Sequence, residues 1–342
     1  MSMLPPPRGG RDGVRGRVVQ RGRLRAGDAH HPEEQLAGGV LALATGLGHS
    51  CALLRHGSIE CWGWNSTGQL GNGATMDSLA PVNVEGIDGK VTSITAGYNH
   101  TCALTRDGGA WCWGWNMQGQ LGDGTSTNSS TPVHVQLPGK VKSLRASGNQ
   151  TCAVARDGVG WCWGDNSYGQ LGDGTLVNAN TPQRVSTTSR LTSISPGGNS
   201  TCAVTARGGV ECWGWNLGGS LGSGSSAQYL TAPMAVVGLG TGISEVSTGG
   251  DHACALANSG DVWCWGVNFN GQTGGATPID VTPTQIRGLP TPTASIALGD
   301  THSCAATKEK NVFCWGANQV GQLGNGKLDN TAVPVAVVQA GH

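Results

Sequence analysis

The residues of this 342-residue chain best able to do chemistry are its 12 cysteines and nine histidines, and their spacing decides which chemistry. The tripeptide Cys-Trp-Gly begins at Cys61, Cys112, Cys162, Cys212, Cys264 and Cys314. An earlier cysteine stands ten positions before each, at Cys51, Cys102, Cys152, Cys202, Cys254 and Cys304. Zinc sites use Cys-x-x-Cys or closely spaced His pairs, and neither occurs. A separation of ten suits a hairpin instead. A turn centred on Asp107 sets Cys102 opposite Cys112. Opposed residues of antiparallel strands have Cα atoms about 4.5–5.5 Å apart, within reach of a disulfide. All 12 cysteines pair this way with none left over. Six disulfides imply an oxidising, extracytoplasmic or secreted setting. The alternative is buried reduced thiols acting as small apolar side chains, which would allow a cytoplasmic protein.

The histidines point to structure. His49, His100, His252 and His302 lie two residues before the first cysteine of a pair, with Gln150 and Ser200 at that place in the other two copies. A catalytic or metal centre gathers its ligands once, whereas these are spread through the copies. Each reads as a side chain hydrogen-bonding a turn. Asp107, Asp157 and Asp261 sit in hairpin turns, and Asp123 and Asp173 in Gly-Asp-Gly turns without the long ligand-rich loop of a calcium site. No Ser-His-Asp arrangement, phosphate-binding loop or isolated carboxylate pair appears, so no catalytic residue, cofactor or metal is assigned. Asn65, Asn99, Asn128, Asn149 and Asn199 open Asn-x-Ser/Thr sequons, three of them at one repeat position, which turn chemistry explains.

What positions these residues is a repeat. Successive first cysteines are 51, 50, 50, 52 and 50 residues apart. Each copy continues with Asn-x-x-Gly, at Asn65, Asn116, Asn166, Asn216, Asn268 and Asn318. Later comes Pro-x-x-Val/Ile, at Pro81, Pro132, Pro182, Pro233, Pro283 and Pro334. The second copy predicts four strands, over Val91–Ala96, Thr101–Thr105, Ala110–Trp115 and Val133–Val135. Arg106-Asp107-Gly108 joins the middle two, and the fourth opens after a proline, as an outer strand can. Four short antiparallel strands at this period fit an all-β propeller of six blades, or seven if the N-terminal segment supplies another. Composition agrees, since 58 glycines disfavour a helical bundle. Without a G-X-Y period they also exclude collagen. No apolar run is long enough to cross a bilayer as a helix.

Net charge is zero, but seven of the 21 Lys and Arg are arginines between Arg8 and Arg25. From Gln35 onward 14 basic residues face 17 acidic ones, which argues against nucleic acid as a partner of the repeats. The chain therefore divides into 1–35, rich in Arg, Pro and Gly, and a repeat domain over 36–342. The first part reads as a disordered tail or as the product of a start codon placed too early. Other readings are an anion-binding tail and a strand from Val14–Arg25. It lacks the apolar stretch of a secretory signal.

The runs Gly-Tyr-Asn-His-Thr-Cys-Ala-Leu (97–104) and Trp-Gly-x-Asn-x-x-Gly-Gln-Leu-Gly (113–122) resemble the repeats of the regulator of chromosome condensation family, which includes alpha-tubulin suppressor-like proteins. The resemblance runs from about Val40 to Val338 and implies a β-propeller. Within that family are a guanine nucleotide exchange factor for a small GTPase, a plant UV-B photoreceptor and a secreted bacterial β-lactamase inhibitor, so the fold leaves function open. The exchange factor inserts a projecting hairpin into its GTPase, and no copy here carries an insertion of that size. The paired cysteines look more like bacterial extracytoplasmic versions of the repeat.

One position varies as a contact surface would. Between the Asn and Gly of each copy stand two changing residues, and five copies place a large apolar side chain there: Met117, Tyr168, Leu217, Phe269 and Val320. On one rim they would anchor a protein partner. Folded back on their own blades, they would be packing. The sequence thus supports a non-enzymatic, monomeric interaction module binding a protein or a cell-surface polymer. Nucleotide exchange on a small GTPase is the alternative, and a catalytic centre assembled at the central channel comes third.

Overall fold

The computed structural model describes residues 39–290 and 292–338; segment 1–35, with the strand considered for Val14–Arg25, lies outside them. The described residues form six antiparallel sheets of four strands each, in chain order. In the first, β1 (Val40–Thr45), β2 (His49–Leu54), β3 (Ile59–Gly63) and β4 (Ser78–Asn83) pair as sequential neighbours. The second repeats this with β5 (Val91–Ala96), β6 (His100–Thr105), β7 (Ala110–Gly114) and β8 (Ser129–His134). Four more sheets follow over 141–184, 191–235, 243–285 and 293–336. Among the described residues a single helical turn, Leu217–Gly219, interrupts the β structure.

The hairpin register follows from the turn. Gly108 takes φ +93°, a conformation open to glycine, so that Thr105 N–H can bond Gly109 O at 2.9 Å. Cys102 then faces Cys112, and all six pairs are disulfides with Cα atoms 4.1 Å apart. The fourth strand differs from expectation. It begins at Ser129, ahead of Pro132, because a bulge between Cys112 and Gly114 leaves the strand irregular there. An edge strand can spare the proline's missing N–H.

Sheets pack face to face through five apolar clusters, each drawn from two consecutive sheets. Between the first and second sheets, Cys51, Leu53, Ile59, Cys61 and Leu70 meet Val91, Ile94, Ala103 and Trp113. Both disulfide sulfurs are core atoms, so each cross-link also fills volume.

A preorganised loop face at one end of the sheets

The histidines lock neighbouring sheets together, where turn bonding was expected. His49 Nε2 lies 2.8 Å from Thr101 Oγ1, His100 Nε2 2.9 Å from Thr151 Oγ1, and His252 Nε2 2.9 Å from Ser303 Oγ. Each hydroxyl spends its proton on a carbonyl of the preceding sheet, as Thr101 does on Gln69 O at 2.9 Å. The imidazole must therefore be the donor, and so carries its proton on Nε2. Its Nδ1 is buried without a partner in His49, His100 and His252. Burial lowers the pKa to about 4 for His49 and to about 3 for His100 and His252, with the neighbouring histidine adding repulsion in the last two. The rings lie over Gly46, Gly97 and Gly249, where a Cβ would come within 2.2–2.5 Å of Cε1. These are packing devices with neutral imidazoles.

The same Gln69 carbonyl accepts the indole N–H of Trp113 at 2.9 Å. Trp163, Trp213, Trp265 and Trp315 repeat the bond to Gln120, Gln170, Ser220 and Gln272 at 2.9–3.0 Å.

Each Asn-x-x-Gly loop is built around its asparagine. Asn116 is fully buried; its Nδ2 donates to Thr125 O and Thr127 O, both at 3.1 Å, and its Oδ1 accepts Leu121 N–H at 2.9 Å. Asp123, in the Gly-Asp-Gly turn, accepts from Asn116 Nδ2 at 3.2 Å and from the Thr125 N–H and hydroxyl at 3.0 and 2.9 Å. The loop glycine closes on the next sheet: a Cβ on Gly119, at φ +87°, would stand 2.4 Å from Asn180 Cα.

On these fixed backbones Met117, Leu217, Phe269 and Val320 are exposed, Val320 by 84%. Tyr168 is placed differently. It is half-buried, edge-on to Trp215 of the next sheet with centroids 3.9 Å apart, so it serves as packing between sheets. The turn before the second strand lies at the same end, since Trp115 N–H bonds Asn99 O at 2.8 Å. That brings Tyr98, Trp64, Trp115 and Trp215 to the loop face, all at least partly exposed. Strand alternation would have set Trp115 on the same side as buried Trp113; Gly114, at φ +107°, breaks the alternation between them. Burial, with Asp300 and Asp251 nearby, pushes the Tyr98 phenol up, so it keeps its proton.

A cavity of ≈ 590 Å³ lies among the first strands of the third to sixth sheets. Arg145, Glu245, Ser193, Ser195, Ser244 and Ser247 supply its polar lining, and neither a histidine nor a cysteine reaches it. Burial pushes the Glu245 carboxyl up against the opposing pull of the Ile296 N–H and Arg145. No group of three metal-ligating side chains occurs among the described residues, and none of their helices could cross a membrane.

The RCC1-like domain profile matches residues 12–341. The chain is 38% identical over 97 residues to the ultraviolet-B receptor UVR8 of Arabidopsis thaliana, a stretch that is 28% of this chain and 22% of the receptor. It is 42% identical over 82 residues to human protein RCC2, covering 24% of this chain and 16% of RCC2. Matching stretches thus span under a quarter of these relatives. Human WBSCR16 superposes with a TM-score of 0.80 at 23% identity, over 88% of this chain and 82% of that one. Yeast RCC1 (Prp20), solved bound to Kap60, gives 0.78 at 21%, over 88% and 75%. These likenesses show the fold, a propeller of four-stranded blades, and the extended profile match shows descent: the chain belongs to the RCC1-like domain family.

Proposed function

We propose that the chain is a non-catalytic interaction module that captures a protein partner through its loop face, in an oxidising compartment outside the cytoplasm. The observation carrying this is the set Met117, Leu217, Phe269 and Val320, exposed apolar side chains on loops held rigid by buried asparagines. Exposed apolar anchors on a preorganised backbone gain affinity because little ordering entropy is lost on binding. The six disulfides support the compartment.

The test couples two measurements on protein from its native host. Alkylation under denaturing, non-reducing conditions should leave the intact mass unchanged. Met117→Ala/Leu217→Ala/Phe269→Ala should lose partner crosslinking while keeping its melting temperature. Twelve alkylated thiols, with accelerated nucleotide release from a small GTPase, would favour the exchange-factor reading instead.

A further inference from the structure

Two register positions on the first strands repeat from sheet to sheet, and each departs from the repeat once. Opposite the first cysteine of every disulfide stands Ala, Thr or Ser, except in the third sheet, where Arg145 faces Cys152. Two residues earlier each copy has Ser or Ala, except the fifth, which has Glu245. The cavity of ≈ 590 Å³ takes in both exceptions. Arg145 enters it from the third sheet and Glu245 from the fifth, with Ser193 and Ser195 of the fourth sheet also in its wall. The histidines are spread through the copies; these two charges occur once each and share one space. All three sheets have described neighbours on both sides.

The polar groups of this cavity are unequally engaged. Ser195 Oγ accepts the Thr248 N–H at 3.2 Å, and Ser244 Oγ donates to Leu256 O at 3.1 Å. Arg145 Nη1 donates to Leu144 O at 3.2 Å, which holds the guanidinium on its own strand and leaves its remaining N–H groups for other acceptors. The one ion pair among the described residues is Lys140–Asp107, so Arg145 and Glu245 line one cavity without pairing. Glu245 is half-buried. Ser193 Oγ is buried with no hydrogen-bond partner, a polar atom withdrawn from water with nothing in exchange. Between these groups the walls are aliphatic, from Ile194, Val246, Leu256 and Ile296.

We propose that this cavity binds a small zwitterion, a molecule carrying one carboxylate and one ammonium group. The carboxylate sits on Arg145 and accepts the Ser193 hydroxyl, and the ammonium sits on Glu245. Ligands with fewer charges fit less well. A lone anion meets the Glu245 carboxylate and a lone cation meets the Arg145 guanidinium, and either leaves one protein charge without a partner. A polyol leaves both charges unanswered and finds no aromatic face in the lining. A zwitterion answers both through charge-assisted hydrogen bonds, with its carbon skeleton against the aliphatic walls. The loop tips line no part of this site, so it stands apart from capture of a protein partner.

The test titrates the full chain with glycine, β-alanine and γ-aminobutyrate, which carry the same two groups at increasing separation. Acetate, ethylammonium and glycerol are the controls. Calorimetry should find saturable binding of at least one zwitterion, about tenfold or more tighter than any control, as expected when one charge-assisted hydrogen bond is lost. The methyl NMR signals of Ile194 and Ile296 should move with the same dissociation constant. Arg145→Met and Glu245→Gln should each weaken binding about tenfold or more at an unchanged melting temperature. Met117→Ala/Leu217→Ala/Phe269→Ala should bind as the unaltered chain does. Absence of saturable binding by all three zwitterions would overturn the proposal. Equal binding of acetate or ethylammonium would overturn it in favour of a singly charged ligand, and equal binding of glycerol in favour of a polyol. Binding that leaves both isoleucine methyls unmoved, or that survives both substitutions, would put the ligand outside this cavity and overturn it too. Should a substituted chain unfold, the methyl shifts of the unaltered chain still decide.

Discussion

The second sheet and the first are written in nearly the same residues and live in different surroundings. Val91, Ile94 and Trp113 are core; Val40, Leu43 and Trp62 occupy the same positions and meet less protein. Burial in a repeat stack is therefore a property of having a neighbour, because a sheet cannot cover its own face. The first sheet shows what the repeat offers before it is covered.

Substitution at the paired tryptophans is the sharpest way to break that comparison. Trp113→Ala removes a fully buried indole together with its bond to Gln69 O, and should cost about 3–5 kcal/mol in denaturant unfolding. Trp62→Ala should cost about 1 kcal/mol or less, as expected of a partly exposed side chain whose indole has no hydrogen-bond partner among the described residues. Equal losses would mean that the first sheet is covered in solution.

Acid separates the histidines next. His100 and His252 are held at about 3, below the 6.5 of an unfolded chain. Below pH 6.5 the unfolded state binds protons that the folded state refuses, so stability present at neutral pH is lost as pH falls from 6.5 toward 3. Each buried histidine contributes up to about 1.4 kcal/mol per pH unit across that window. His100→Gln should flatten the acid limb of stability against pH while preserving the fold. Glutamine already works at this position in the third sheet, where Gln150 Nε2 donates to Gly197 O at 3.3 Å and to Ser200 O at 3.2 Å. His302, half-buried on the open sixth sheet, is lowered chiefly by burial and partly raised by Asp300. His302→Gln should therefore change the acid limb less than His100→Gln.

Reduction sharpens the comparison in a third way. Cys304 is half-buried, whereas Cys102 and Cys112 are inaccessible. Mild phosphine treatment followed by alkylation and peptide mapping should label Cys304–Cys314 before any bridge between covered sheets. The smallest effect belongs to the loop tips: Phe269→Ala should shift stability by less than about 0.5 kcal/mol. Tyr168→Ala, which removes a ring packed on Trp215, should cost about 0.5–1.5 kcal/mol more.

The period, the hairpins and the cysteine pairing were legible because they are local. Ten residues around Asp107 settle which cysteine faces which. The partners of His100 and Trp113 were hidden because they lie 51 and 44 residues away, on another sheet, at positions no hairpin rule connects. Tyr168 packs between sheets, neither anchoring a rim nor folding back on its own blade, and the sequence hides this because Trp215 belongs to the next copy. The aromatic residues at the loop face were hidden by Gly114, whose positive φ undoes the alternation on which strand reading depends. The open sixth interface left no mark on single residues, since Leu43 is as apolar as Ile94.

The carbonyl of Gln69 sets a direction for folding. It is made before the residues that bond it, preceding Thr101 by 32 positions and Trp113 by 44. Every interface is thus completed within about one repeat of synthesis, and contact order stays low despite an all-β architecture. A nascent chain can add sheets to a stack already formed, with the growing face and the outer face of the first sheet exposed. Aggregation during synthesis is confined to those two faces, and a chain arrested after any repeat ends on a surface like that of the sixth sheet.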